Sequence, residues 1–158
     1  MTKVKITSIG QTDTVGLFSI IFADQQVSEF ARFVAKIQED GRRSRDLYQL
    51  LAEISKIETN GALERYFRYE GKVKDHVVAL PTYPSGIRLY CLRLSDEILI
   101  LGNGGIKGPG PYQNYPDLNG YVINLHKLDE LLFDDIRKGV VSIDSPNFTG
   151  APGREYDL

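Results

Sequence analysis

Arg88 and Lys107 are the side chains best suited to chemistry in this chain, because both are cations set beside apolar strands. In the run Gly86-Ile87-Arg88-Leu89-Tyr90-Cys91, strand alternation puts Ile87, Leu89 and Cys91 on one face and Arg88 and Tyr90 on the other. A guanidinium on an open sheet face, within reach of Lys107, would hold a phosphate through two parallel hydrogen bonds. The plainer reading keeps Arg88 at a strand start, its head in water or paired with an acid. Lys107 ends the run Gly102-Asn103-Gly104-Gly105-Ile106-Lys107, with Tyr112 and Tyr115 shortly after it. A cation with neighbouring phenols suits a phosphate and a stacked base. The glycines lack the spacing of a phosphate loop, and no helix is predicted directly behind them. They read instead as residues that let the chain leave the sheet.

Other candidates are weaker. Arg42, Arg43 and Arg45 surround Ser44 at a helix entry; they solvate that entry or contact phosphates. His76 and His126 stand fifty residues apart, and neither has cysteine or clustered acids at ligand spacing, so no metal site is predicted. Cys91, the one cysteine, excludes an internal disulfide, and its apolar strand predicts buried packing. No nucleophile-elbow pattern supports a serine hydrolase.

The elements that must position these residues follow from periodicity. Val4 to Ala23 reads as two strands broken at Gln11-Thr12-Asp13. Asp24 offers a cap for a helix carrying Val27, Phe30, Ala31, Val34 and Ile37, which Gly41 stops. Ser44 offers the cap for a second helix with Leu47, Leu50, Leu51, Ile54 and Ile57 along one face, ended by Asn60-Gly61. Strands are predicted at His76–Leu80, Ile87–Leu94 and Glu97–Leu101, with a turn at Tyr83-Pro84-Ser85-Gly86. Gly102 to Pro116 reads as irregular. Asp117 then caps a helix striped by Leu118, Tyr121, Val122, Leu125, Leu128, Leu132 and Ile136, with acids at Asp129, Glu130, Asp134 and Asp135 outside.

The expectation is therefore a single α+β domain over residues 1–144, with residues 145–158 as a flexible tail. With 158 residues, 42% hydrophobic and 25% charged, the chain is long enough for a substantial core. No apolar run reaches the ~20 residues of a membrane span, and the alternating N-terminus predicts no secretory signal, so a cytoplasmic location is expected. A net charge of −2 argues mildly against a dedicated nucleic-acid binder, although local basic patches are compatible with it.

Two helices, then an antiparallel hairpin entered by Gly86-Ile87-Arg88-Leu89-Tyr90-Cys91, then Asp96 to Lys107 and a closing helix, resemble the RelE/ParE superfamily of bacterial toxin–antitoxin toxins. The resemblance covers about residues 15 to 138, and the whole layout is similar to Bacteroidetes-type RelE-like proteins. It implies an antiparallel sheet packed against N-terminal helices with a C-terminal helix. It also implies a cognate antitoxin as partner, of helix-turn-helix type. RelE-type members cleave mRNA on the ribosome without metal or cofactor, the 2′-hydroxyl attacking the adjacent phosphate while cations stabilise the growing charge. ParE-type members inhibit gyrase and cut no RNA. By position, the resemblance makes Arg88, Lys107 and Tyr112 catalytic candidates, with Tyr115, Arg42, Arg43, Lys72 and Lys74 as RNA contacts. Lys72 and Lys74 fall just before the strand that precedes Arg88. The alternative is a non-catalytic interaction module on the same scaffold.

Overall fold

The computed structural model describes residues 2–69, 76–81, 86–144 and 147–158. The predicted turn at 83–86, apart from Gly86, and both Lys72 and Lys74 lie outside the described residues.

The chain opens with an antiparallel hairpin, β1 (Lys3–Gln11) and β2 (Gly16–Phe22). Thr12 builds its turn: the hydroxyl accepts from the amides of Thr14 (3.2 Å) and Val15 (3.1 Å). It also lies 2.9 Å from the Glu58 carbonyl, to which it donates. Helix α1 (Glu29–Glu39) begins later than expected, because Ser28 caps it through the Ala31 amide. Asp24 falls instead in a turn closed by Gln25 N–H donating to the Phe22 carbonyl, which leaves Val27 outside the helix and exposed. After a 3-10 turn at Gly41–Arg43, α2 (Ser44–Asn60) runs until Gly61, whose φ of +94° ends it.

A 3-10 turn at Glu64–Tyr66 precedes β3 (Arg68–Tyr69), and then come β4 (Val77–Pro81), β5 (Ile87–Ser95) and β6 (Ile98–Ile106). Helix α3 (Pro116–Arg137) follows a 3-10 turn at Tyr112–Asn114. Asp117 lies in its first turn and not at the cap; Tyr115 holds the cap position, and Pro116 starts the helix where its missing N–H costs nothing. Three short strands close the chain: β7 (Ser142–Asp144), β8 (Asn147–Thr149) and β9 (Glu155–Asp157).

Among the described residues, seven strands form one mixed sheet in the order β3-β4-β5-β6-β2-β1-β9, while β7 and β8 make a separate hairpin. Within the large sheet only β2 and β6 pair in parallel; the remaining neighbours are antiparallel. Helices α1 and α2 cover one face, packing Phe33, Ile37, Leu50, Ile54 and Ile57 against Leu89, Cys91, Leu99 and Leu101. Helix α3 covers the other, where Leu118, Val122, Leu125, Leu128 and Leu132 meet Phe18, Tyr90, Leu92, Ile98 and Ile100. Burial of each such aliphatic side chain contributes about 1.5–3 kcal/mol, which is how the helical stripes hold the sheet between them. The α2 stripe is narrower than expected, since Leu51 is exposed.

Two expectations change here. Gly102 to Ile106 is not irregular: it is the second half of β6, paired with β5. Its glycines serve close approach between strands, since a Cβ on Gly104 would lie 1.9 Å from the Arg88 carbonyl oxygen. The segment from 147 to 158 is not a free tail either. Strand β9 pairs with β1, Tyr156 is buried, and its hydroxyl donates to Asp135 Oδ2 at 2.8 Å.

Gly120 lies off the helical stripe of α3, and nothing lies within 4 Å of a Cβ added there. Gly120→Ala is expected to stabilise the fold by about 0.5–1 kcal/mol, read as a higher urea midpoint with unchanged slope. An unchanged or lower midpoint would contradict that open space.

Candidate functional site at the end of the central strands

Register decides which of the candidate residues meet. Strands β5 and β6 pair Leu89 with Gly104 and then Cys91 with Leu101, so Gly102 and Asn103 both stand opposite Tyr90. This is a β-bulge, two residues against one, and it shifts the alternation of β6 by one position. Below the bulge Gly102 faces α3, where an added Cβ would meet Leu125 Cδ1 at 3.3 Å. Beyond it Gly105 takes that face, pairing with Arg88 and lying under Leu118. Ile106 then pairs with Ile87, and past the strand end the Lys107 amide donates to the Gly86 carbonyl at 2.8 Å. The register thus places Lys107 on the same side of the sheet as Arg88. Without the bulge it would fall on the α1 side.

A polar clamp holds the bulge. The Asn103 carboxamide oxygen accepts from the Gly104 amide (2.8 Å) and from Lys36 Nζ (3.1 Å). Its amide nitrogen donates to Glu29 Oε1 at 3.3 Å. Lys36 also donates to the Gly104 carbonyl (2.6 Å), lies 3.1 Å from the Tyr121 hydroxyl, and sits 4.9 Å from that ring's centre. Glu29 is buried, and Arg32 Nη1 pairs with its Oε2 at 3.0 Å. These contacts satisfy a buried carboxylate and a buried carboxamide that would otherwise each cost several kcal/mol. They also cover β6 beyond Leu101, the last β6 residue paired with β2. Glu29, Arg32, Lys36, Asn103 and Tyr121 are not among the functional candidates read from the sequence. The signal available was Glu29, Phe33 and Lys36 at i, i+4 and i+7, which lines two charges up with the buried Phe33 on α1.

The face around Arg88 is not open, contrary to expectation. Arg88 is 7% exposed, lies on the side that α3 covers, and its Nη1 donates to the Ile87 carbonyl at 3.1 Å. Tyr90 beside it is fully buried, and the Tyr112 ring meets Tyr90 edge-on, 6.1 Å between centroids. Lys107 is half-buried at the rim. Tyr115 lies over the loop, its hydroxyl donating to the Pro109 carbonyl at 2.7 Å. Next to it is a cleft of about 270 Å³ bounded by Lys36, Gly104, Gly105, Ile106, Tyr115 and Asp117. The sheet end therefore gathers Arg88, Lys107, Tyr112 and Tyr115.

It does not gather the arginines of the α1–α2 junction, which belong to the helix layer on the opposite face. Arg42 Nε lies 3.2 Å from Asp40 Oδ1, and that hydrogen bond holds the Asp40 carboxyl below its ordinary range. Arg43 stands between Asp40 (4.0 Å) and Asp46 (3.7 Å). His76 Nδ1 lies 2.9 Å from Asp129 Oδ1 and ties the start of β4 to α3. Burial pushes the Cys91 thiol far above its ordinary range, which leaves it unreactive. Among the described residues no three His, Cys, Asp or Glu side chains converge as a metal site would require. No described helix is long and apolar enough to cross a membrane. Neither a family model, nor a curated protein, nor a solved structure matches this chain.

Proposed function

We propose that the chain is the toxin of a toxin–antitoxin pair on a RelE/ParE-like scaffold, acting in the cytoplasm, where it meets mRNA at the end of β5 and β6. The observation that carries this reading is the register: a bulge turns Lys107 onto the side of Arg88, with Tyr112 packed over the neighbouring Tyr90. The order α1, α2, β4, β5, β6, α3 is also the element order on which the resemblance rests. In this reading Lys107 meets the phosphate, a phenol of the loop moves a proton, and Arg88 supplies positive charge from behind. Charge stabilisation then does most of the work, as it must where no metal takes part.

Burial of Arg88 favours a second reading, in which its role is structural and the chain binds its antitoxin or a target protein without cutting RNA. Induced expression separates the two. On the first reading wild type arrests growth and truncates mRNA, and Lys107→Gln, a change at a half-exposed position, lowers cleavage by about 10²-fold. Arg88→Lys, which keeps the charge but loses the planar fork, lowers it further. Intact mRNA with wild-type protein present would sink the nuclease reading. Arrest without cleavage would support the second.

A further inference from the structure

One depression belongs to neither the sheet end nor the bulge clamp. It is a groove of about 550 Å³ between α2 and the strand β3, with Gln49, Glu53, Arg65, Tyr66, Arg68 and Pro81 among its walls. That volume falls within the ~300–1,000 Å³ of ligand sites. Tyr66 is fixed in it: its hydroxyl oxygen accepts from Asn60 Nδ2 at 2.8 Å, and that bond, with Arg65, holds the phenol below its ordinary range. The exposed Arg65 guanidinium lies over the Tyr66 ring, 5.3 Å from its centre. Glu53, on the α2 wall, is paired at 2.8 Å with Lys56 of its own helix. The walls thus carry two guanidinium groups, a fixed aromatic plane and a carboxamide.

We propose that this groove binds single-stranded RNA, one base stacking on the Arg65–Tyr66 pair and Arg68 meeting an adjacent phosphate. Flat guanidinium and phenol surfaces take any unstacked base, and cations on the same wall follow the backbone. An acidic peptide would use the two arginines and leave the ring without a role, so charge and shape together favour the nucleic acid. A chain of net charge −2 binds RNA only where such a local patch exists. The groove stands on its own geometry and does not need the sheet end to cleave, so the two readings fail separately.

The test is fluorescence anisotropy of a short, labelled, single-stranded RNA of mixed sequence titrated with the full chain. Wild type is expected to saturate. Tyr66→Leu should weaken binding about tenfold, and Arg65→Gln with Arg68→Gln should weaken it at least as much. The double variant should also reduce the slope of log affinity against log salt by roughly one to one and a half. Melting curves identify any variant that fails to fold. In that event ultraviolet cross-linking of the wild type decides: adducts at Tyr66 or Phe67 support the groove, and adducts confined to residues 107–116 overturn it. Absent binding, equal affinity in a folded double variant, or competition by polyglutamate as effective as by unlabelled RNA would also overturn it.

Discussion

Gly104→Ala is expected to abolish the soluble fold. The added methyl carbon would stand 1.9 Å from the Arg88 oxygen, 2.9 Å from the Arg88 carbonyl carbon and 3.0 Å from Leu89 Cα. All three are backbone atoms of the paired strand, so no side-chain rotation relieves the clash. The strands must separate where Leu89 pairs with Gly104, in the middle of the hairpin that both helical layers pack against. The cost is of the order of the whole stability of such a domain, about 5–15 kcal/mol. Two neighbouring glycines calibrate it. Gly105→Ala would meet only Leu118 Cδ2 at 3.3 Å, the end of a side chain that can shift, and should cost about 1 kcal/mol or less. Gly102→Ala would meet the Tyr90 carbonyl oxygen at 2.9 Å and falls between them. Soluble yield and urea midpoints of the three variants test that order. A stable Gly104→Ala protein would mean that the bulge, and with it the position of Lys107, is not as described.

The same glycines show where local sequence stops being informative. Glycine is a poor strand former, so Gly102 to Gly105 read as an exit from the sheet. Here the missing Cβ is what two backbones and helix α3 require, and that demand comes from residues far away in sequence. The alternation of β5 was legible: Ile87, Leu89 and Cys91 do face the α1–α2 layer, and Tyr90 the other side. Alternation says which side a residue takes and nothing about what covers that side, so Arg88 read as open when it is buried. The helical stripes of α1, α2 and α3 were legible because spacings of three and four carry their own signal. The bulge clamp was not, because Asn103 meets Glu29 across 74 residues of chain and Lys36 across 67.

Asp135→Ala is expected to release the C-terminal segment and cost about 2–3 kcal/mol. Asp135 is buried on α3, and its Oδ2 accepts from Tyr156 at 2.8 Å and from Arg154 Nε at 2.7 Å. Losing a charged acceptor leaves the buried Tyr156 hydroxyl without its partner, which sets the magnitude; Arg154 is partly exposed and adds little. Strand β9 is held to β1 by three residue pairs, so its detachment would expose β1 as a sheet edge and promote self-association. Rapid proteolysis after residue 144 and a concentration-dependent sedimentation profile are the readouts; wild-type behaviour in both would refute the anchor. The same contact predicts a response to alkali. Burial, and then the Asp135 carboxylate, raise the Tyr156 phenol above its ordinary value of about 10. A group whose folded value is raised contributes stability that is complete below the unfolded value and lost as pH climbs towards the folded one. Wild type should therefore lose stability above about pH 10. Tyr156→Phe, less stable at neutral pH, should lose less over that range. Parallel losses in the two proteins would show that Tyr156 is not the residue being titrated.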